Sequence, residues 1–155
     1  MHLGDFISPE AVIPSLKSKN KKQLLQELSA RAARLTGLEE RYIFDVLLQR
    51  ERLGSTGLGQ GIATPHGKLA GLKRIVGIFA RLAEPIDFDA VDGDPVDIVF
   101  LLLAPEGAGA DHLKALARIA RLLREPGMAS KLRSSHDENA LFAVLTGSAA
   151  ASNAA

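Results

Sequence analysis

Two apolar segments dominate the pattern of hydrophobic and polar residues along the chain. Residues 73–81 and 96–103 are too apolar to face water on one side. Continuous apolar runs of this kind are typical of strands that are covered on both faces of a sheet. We therefore predict two buried strands, joined by an aspartate-rich connection in which Asp92 and Gly93 can form a hairpin turn.

Apolar residues recur at helical spacing in segments on both sides of these strands. Asn20 is a suitable N-cap and Gly37 a suitable C-terminal stop for a first helix. The predicted elements are, in order, extended structure over 3–16, helices over 21–35 and 39–52, a short strand over 62–64, a helix from Asp111 to about residue 124, a short helix that starts at Pro126, and a last helix capped by Asp137.

Buried strands flanked by helices predict an α/β protein (α+β in some schemes), built as a three-layer α/β/α sandwich. The 155 residues fit one domain, large enough to bury roughly two thirds of the surface of its unfolded chain. Residues 147–155 are small and uncharged, with little to pack. We therefore expect a single domain over 1–146, followed by a disordered tail over 147–155.

The composition excludes several classes of protein. The formal net charge is only +1 at pH 7, which argues against a broad nucleic-acid interface. Cysteine is absent, so disulfides and thiolate metal sites are excluded. The longest apolar run, residues 98–104, is too short to cross a bilayer, and the first residues lack the features of a signal peptide. We expect a soluble cytoplasmic domain with no nucleic-acid partner and no membrane insertion.

The segment 54–68 is rich in glycine and suggests an anion site. Glycine lets backbone amides approach a ligand closely, and hydroxyl groups and cations complete such a site. Leu69 stands where a P-loop would carry the Ser or Thr that holds magnesium, so this is not a P-loop. A surface turn whose glycines merely relieve strain is the alternative. The candidate phosphate-binding residues are Ser55, Thr56, Gly57 and Gly59, with Arg50 just upstream.

Two histidines are candidates for the chemistry at this segment. His66 follows Pro65, and a neutral imidazole is a competent nucleophile near pH 7 when its other nitrogen donates a hydrogen bond. His112 falls in the first turn of the helix that begins at Asp111, where the helix dipole attracts phosphate and disfavours imidazolium. We predict that His66 accepts a phosphoryl group and that His112 hydrogen-bonds it. The alternatives are a solvated loop histidine and an exposed first-turn residue.

A metal site is another possible use of these two histidines. They lack the HExxH spacing of a zinc helix, and no third ligand is evident beyond the aspartate-rich connection. An EF-hand frame that starts at Asp87 puts Val91 at a ligand position. We therefore predict no metal and no cofactor. A metal-dependent hydrolase and a non-catalytic anion-binding module remain as rival hypotheses.

Taken in order, the motifs resemble the enzyme IIA proteins of the bacterial phosphotransferase system, in the fructose–mannitol family, and most of all the nitrogen-regulatory branch. The resemblance extends from about residue 6 to residue 146, and an ordered set of motifs is far more specific than any one of them. Thr64 stands where a branched aliphatic residue is common. The matching segments are 50–59 (RERLGSTGLG), 61–69 (GIATPHGKL), 85–90 (PIDFDA), 95–97 (PVD) and 112–113 (HL).

This resemblance implies the mannitol-type enzyme IIA fold, with a central mixed sheet between helices. It implies that His66 is the phosphorylated residue and that His112 and Arg50 support it. Family members take phosphate from a histidine phosphocarrier protein (HPr or NPr type), which a first enzyme charges from phosphoenolpyruvate. No metal is needed in such a transfer.

Two roles exist within the family. Nitrogen-branch members resemble regulators, whose phosphorylation state signals nitrogen and potassium status to target proteins. Sugar-branch members pass their phosphate to a IIB domain and so drive sugar uptake. We expect the regulatory role, in a monomer or weak dimer, and keep the sugar branch as the alternative.

Overall fold

The strands β5 (Val76–Ile86) and β6 (Val96–Pro105) form the centre of a six-stranded mixed sheet in the computed structural model, which describes residues 2–147. They pair antiparallel, as the predicted hairpin requires. Gly93 has a positive φ of 76° in the connection, and its amide donates to the carbonyl of Ala90 at 2.9 Å. Every residue from Ile98 to Ala104 is buried, which places both faces of β6 under other elements.

The other four strands extend this pair on its two sides. Along the sheet the order is β1 (Val12–Leu16), β5, β6, β3 (Ile62–Ala63) and β2 (Gly57–Gly59), with β4 (His66–Leu69) paired to β6 as well. Both β3 and β4 run parallel to β6: Ile62 lies opposite Ile98, and His66 lies opposite Leu102. The strand that begins at His66 therefore lies at an edge of the sheet, beside the most buried strand of the protein.

Helices cover the sheet on both faces, which confirms the predicted three-layer sandwich with a mixed sheet. The helices are α1 (Lys21–Thr36), α2 (Glu40–Arg52), α3 (Ala110–Leu123), α4 (Met128–Ser134) and α5 (Glu138–Thr146). Helices α1 and α2 pack together against β5 and β4, α3 and α4 pack on β6, and α5 packs on β1. Two predicted caps are present: Asn20 accepts from the Gln23 amide and Asp137 from the Asn139 amide, both at 2.8 Å.

The glycine-rich segment forms three short strands instead of an irregular loop. Its backbone pairs with itself in β2 and β3, and with β6 in β3 and β4. Three consecutive residues from Gly59 to Gly61 have positive φ angles of 91°, 59° and 81°, which turn β2 into β3. Gly59 and Gly61 adopt these angles without strain, whereas Gln60 between them is a non-glycine residue in the left-handed region. The two glycines therefore permit a tight hairpin at the sheet edge.

Two helix boundaries also differ from the prediction. Helix α3 begins after Gly109, so Asp111 lies within its first turn and does not cap it. Helix α4 was predicted to start at Pro126 but begins after Gly127. The left-handed backbone of Gly127 (φ 81°) ends the preceding turn. Of the predicted tail over 147–155, Gly147 is the C-cap of α5 with φ 78°, and the other residues lie outside the described part of the chain. Within residues 2–147, none of the helices is both long enough and apolar enough to span a membrane.

Candidate active site

His66 is the first residue of β4, and its side chain is half-buried. The next residue, Gly67, lets helix α2 pack closely on this strand: a Cβ built at Gly67 would lie 2.7 Å from Cγ1 of Val46, closer than real Cβ atoms approach. This tight packing brings Arg50, in the last turn of α2, against the imidazole of His66. A residue without a side chain at position 67 therefore helps to assemble the site.

Both ring nitrogens of His66 have hydrogen-bond partners. Nδ1 lies 2.9 Å from the carbonyl oxygen of Thr64, and Nε of Arg50 donates to Nε2 at 3.3 Å. A carbonyl can only accept and a guanidinium can only donate. These partners assign the proton of the neutral ring to Nδ1 and the lone pair to Nε2. Arg50 is itself held by a second bond, from its guanidinium to the carbonyl of Gly54 at 2.9 Å.

His112 lies beside His66 and is almost fully buried, with 5% of its surface exposed. The ring centroids are 5.5 Å apart and the ring planes meet at 71°, an edge-to-face arrangement. Nε2 of His112 is buried and makes no hydrogen bond to any residue within 2–147. A buried polar atom without a partner costs free energy, which makes this nitrogen a candidate hydrogen-bonding group of the site.

The two histidines open onto a pocket of about 420 Å³ at the protein surface. It is lined by Val46, Gln49, Arg50, Leu53, His66, Gly67, Lys68 and His112. Leu53, which lines the pocket, is 85% exposed, and Leu113, which follows His112 in α3, is 69% exposed. Arg50 and Lys68 add two cations to the pocket. The pocket therefore combines groups that attract an anion with side chains that favour contact with another protein.

The pKa values of both histidines are lowered from the ordinary value of 6.5. Burial is the largest cause for each ring. The pKa of His66 is lowered further by the Arg50 cation and raised by the Thr64 carbonyl and by Glu51. For His112, repulsion from a protonated His66 and from Lys68 lowers the pKa in the same direction as burial. Both rings are therefore neutral at pH 7, as a nucleophile must be.

The predicted phosphate-binding residues of the glycine-rich segment have other partners here. Ser55 donates from its hydroxyl to a backbone carbonyl at 2.9 Å, and the same oxygen accepts from the amide of Gly57 at 3.1 Å. Thr56 donates from both its amide and its hydroxyl to the carboxylate of Glu51. Gly59 lies at the hairpin turn, and none of these predicted residues lines the pocket. Their contact with a phosphoryl group therefore stays a prediction.

Glu51 is a buried residue near the site that the sequence analysis missed. Its side chain is 3% exposed and forms a salt bridge of 2.9 Å with Lys21. A signal was present in the sequence: Ile43, Leu47 and Glu51 follow one another at intervals of four on the buried face of α2. A charged residue on the apolar stripe of a helix is uncommon unless it is paired.

Metal ligands do not cluster in the part of the chain that the structure describes. Within residues 2–147, no three side chains of the His, Cys, Asp or Glu type lie close enough to hold a metal ion. The aspartates of the β5–β6 connection accept hydrogen bonds from nearby backbone amides instead. Asp87 accepts from the amide of Asp89 at 2.9 Å, and Asp92 accepts from those of Gln60 and Asp94 at 2.9 and 3.0 Å. These carboxylates shape turns.

Comparison with known proteins gives concordant results. A family model described as "Phosphoenolpyruvate-dependent sugar phosphotransferase system, EIIA 2" matches residues 5–148. The chain is 63% identical, over 145 residues, to a nitrogen regulatory protein of Bradyrhizobium diazoefficiens, covering 94% of this chain and 95% of that protein. The crystal structure of nitrogen regulatory protein IIA-Ntr from Neisseria meningitidis matches with a TM-score of 0.88. The sequence identity is 37%, and the match covers 93% of this chain and 99% of that one.

The fold itself is shared more widely than the sequence. The crystal structure of IIA mannitol from Escherichia coli matches with a TM-score of 0.75 at 20% identity, covering 89% of this chain and 97% of that one. This similarity confirms the mannitol-type enzyme IIA fold that the motifs predicted. The family match covers nearly the whole chain. The chain thus belongs to the type-2 enzyme IIA family of the phosphoenolpyruvate-dependent phosphotransferase system and is a phosphotransferase component.

Proposed function

We propose that this protein is a phosphoryl carrier that accepts a phosphoryl group on Nε2 of His66 and then passes it on, without a metal or cofactor. The observation that carries the proposal is the pairing of two neutral imidazoles at one open pocket. His66 presents a lone pair on Nε2, and His112 presents a buried nitrogen that lacks a partner within residues 2–147.

The chemistry is an exchange between two imidazoles. Nε2 of His66 attacks the phosphorus of a donor phosphohistidine in line, so a new P–N bond forms as the donor's P–N bond breaks. The electron pair of the broken bond returns to the donor ring. His66 keeps its proton on Nδ1 and gains positive charge, which the Thr64 carbonyl at 2.9 Å helps to stabilise. Because nucleophile and leaving group are alike, positioning and electrostatic stabilisation account for most of the catalysis.

Arg50 has two successive roles in this proposal. In the resting protein its Nε donates to the lone pair of His66 Nε2, which orients the ring but also covers the nucleophile. An incoming phosphoryl group offers the guanidinium a stronger, charge-assisted bond than a neutral imidazole does. The guanidinium therefore moves from the ring to the phosphoryl oxygens, and the nucleophile is uncovered only when substrate is present.

His112 supplies a hydrogen bond to the phosphoryl group. Its lowered pKa keeps the ring neutral, so Nε2 donates when the proton resides on that nitrogen. His112 also lies in the first turn of α3, where the positive end of the helix dipole favours the negative phosphoryl oxygens. Burial makes this bond stronger than it would be in water.

Phosphate mapping tests the central assignment. The protein is incubated with phosphoenolpyruvate, the first enzyme of the system and a histidine phosphocarrier, and the modified residue is located. We expect acid-labile, base-stable phosphate on His66 in the wild type and in His136→Ala, which changes an exposed histidine elsewhere. His66→Ala should remain unlabelled and folded. Labelling of His66→Ala to the wild-type level would refute the assignment.

Chelation tests the metal-dependent hydrolase that the sequence analysis left as a rival. Loss of transfer on chelation, restored by zinc, would favour that rival.

The phosphate donor in this proposal is a histidine phosphocarrier protein of the HPr or NPr type. The exposed side chain of Leu53, which lines the pocket, and that of Leu113, which follows His112 in α3, give such a partner an apolar contact around its phosphohistidine. Transient transfer complexes need only a modest interface. Leu53→Asp should therefore raise the KM for the carrier, whereas Val91→Asp, at a 95% exposed residue outside the pocket, should not. Equal KM values for both variants would exclude this docking surface.

The downstream role that we propose is nitrogen regulation through target proteins. The 63% identity to a nitrogen regulatory protein over nearly the full length supports it. The alternative is transfer of phosphate to a IIB domain for sugar uptake, which the sugar system in the family description keeps open. Rapid transfer from phosphorylated protein to a purified IIB domain would support the sugar branch. Capture of a target by only one of His66→Ala and His66→Glu would support regulation.

A further inference from the structure

A buried carboxylate is connected to His66 through two threonines. The carboxylate of Glu51 accepts from the amide of Thr56 at 3.1 Å and also from the Thr56 hydroxyl. The carbonyl of Thr56 accepts from the amide of Thr64 at 3.0 Å, and the carbonyl of Thr64 lies 2.9 Å from Nδ1 of His66. These bonds connect Glu51 to the imidazole by way of the backbones of Thr56 and Thr64.

The carboxyl group of Glu51 lies where a charge is costly. Its side chain is 3% exposed, and burial of an ion costs free energy that its partners must offset. The main partner is Lys21, whose ammonium lies 2.9 Å from the carboxylate and 4.5 Å from the centre of the Phe88 ring. A neutral side chain at position 51 could also accept hydrogen bonds from Thr56 and so anchor β2 to α2. This anchoring therefore does not by itself explain why position 51 carries an ionisable carboxyl group.

Two consecutive residues of helix α2, Arg50 and Glu51, are connected to the two ring nitrogens of His66. Arg50 contacts Nε2 directly, and Glu51 reaches Nδ1 through Thr56 and Thr64. Thr56 is 6% exposed and Thr64 is equally buried, so water does not compete for their bonds. The path fixes the position of the Thr64 carbonyl, and that carbonyl decides which nitrogen carries the proton.

We propose that Glu51 is a positioning residue for His66, which through Thr56 and Thr64 holds the ring in its Nδ1–H form and stabilises the positive charge that the ring gains on phosphorylation. The second part rests on the proposed function, whereas the first concerns the resting protein alone. In the phosphorylated ring the Nδ1–H group is a stronger donor to the Thr64 carbonyl, whose position Thr56 and Glu51 fix. The nearby negative charge of Glu51 also favours a positive ring, the same direction in which it raises the pKa of His66.

The test combines three variants of the path with two matched controls. Thr56→Val removes the hydroxyl, Thr56→Ser restores it, and Glu51→Gln removes the charge. Thr36→Val removes a partly buried hydroxyl on α1, and Glu40→Gln neutralises an exposed carboxylate on α2. Thr56→Val leaves Glu51 paired with Lys21, so this variant still folds if Glu51→Gln does not. For each protein we measure the ¹⁵N shifts of the His66 ring nitrogens without phosphate, the transfer rate and urea unfolding.

We expect Thr56→Val and Glu51→Gln to move the ¹⁵N shifts towards a mixture of the two tautomers and to slow transfer up to about a hundredfold, as small displacements of reacting groups do. Thr56→Ser should restore both values, and the two controls should match the wild type. Unchanged ring shifts in Thr56→Val and Glu51→Gln, with only a lower unfolding free energy, would overturn the proposal.

The tautomer measurement separates this inference from the proposed function. If the wild type is never phosphorylated but Thr56→Val still alters the ring shifts, the proposed function fails and the positioning role of Glu51 stands. If the wild type is phosphorylated on His66 and the ring shifts of both Thr56→Val and Glu51→Gln are unchanged, the positioning role fails and the carrier function stands.

Discussion

The two sides of His66 differ in how completely their polar groups are paired. On the α2 side, Arg50 and the Thr64 carbonyl occupy both ring nitrogens, and Glu51 continues the network into the interior. On the α3 side, His112 approaches edge-to-face and keeps a buried nitrogen that has no partner among residues 2–147. In the proposed mechanism, the α2 side holds the nucleophile in place and the α3 side receives the phosphoryl group.

This difference has an energetic meaning. An unpaired buried polar atom costs about 1–3 kcal/mol, which a ligand with a suitable oxygen can recover on binding. The α2 side has no unpaired polar atom at His66 in the resting protein, because both ring nitrogens have partners. On transfer, Arg50 must exchange its bond to the ring for one to the phosphoryl group. The proposed transfer therefore draws on the α3 side for affinity to the phosphoryl oxygens and on the α2 side for ring orientation.

The largest effect is expected on the unpaired side. His112→Ala removes a buried donor to the developing charge, a loss that typically costs about 3–4 kcal/mol in the transition state. We expect phosphorylation of His66 to continue, but a few hundred times more slowly. Rapid-quench measurement of transfer in both directions checks this. His112→Gln, which can still donate, should recover part of the rate, and an unchanged rate in His112→Ala would remove the proposed role of this ring.

A smaller effect is expected from Arg50. Arg50→Gln removes a charge-assisted hydrogen bond, which contributes about 1.5–3 kcal/mol, but leaves the Thr64 carbonyl to orient the ring. Transfer should slow about tenfold to a hundredfold when measured at saturating carrier. The control is Arg52→Gln, an exposed cation two residues away on the same helix. If both variants slow transfer equally, the effect of Arg50 is general electrostatic attraction and not contact with the phosphoryl group.

The smallest and most gradual effect is expected from pH. The transfer rate should fall as the pH drops below the pKa of His66, because imidazolium has no lone pair. Burial and Arg50 lower that pKa and so place this decline below pH 6.5.

The stability of the protein should depend on pH in the same direction. The folded protein keeps both rings neutral, so their contribution to the free energy of unfolding is present above pH 6.5 and is lost as the pH falls through their lowered pKa values. Rate profiles and an NMR titration of His66 check the sign. In Arg50→Gln the pKa of His66 should rise, and a pKa that stays unchanged would contradict the proposed influence of Arg50.

Much of the fold followed from local patterns. The apolar run around Ile98 predicted the central strand, and the caps at Asn20 and Asp137 were found where the sequence placed them. The glycine-rich segment was harder to interpret, because glycine serves both anion loops and tight strand turns. Its pairing with β6 depends on residues far away in the sequence, which no local pattern encodes.

The motifs pointed to His66, His112 and Arg50, and the structure brings the three together at one pocket. Their convergence depends on the last turn of α2 and the first turn of α3 meeting at the edge strand β4. Glu51 was overlooked because its sequence context is that of any charged helical residue. Only the surrounding packing shows that its carboxylate is buried and paired.

The sequence by itself determined the family, the main strands and helices, and the residues with suitable chemistry, because these depend on residue type and short-range spacing. The tertiary structure alone decided which nitrogen of His66 carries the lone pair, which nitrogen of His112 is left unpaired, and which donors of the glycine-rich segment are already in use. The reason is physical: hydrogen-bond partners and burial are set by contacts between residues that are distant in the chain.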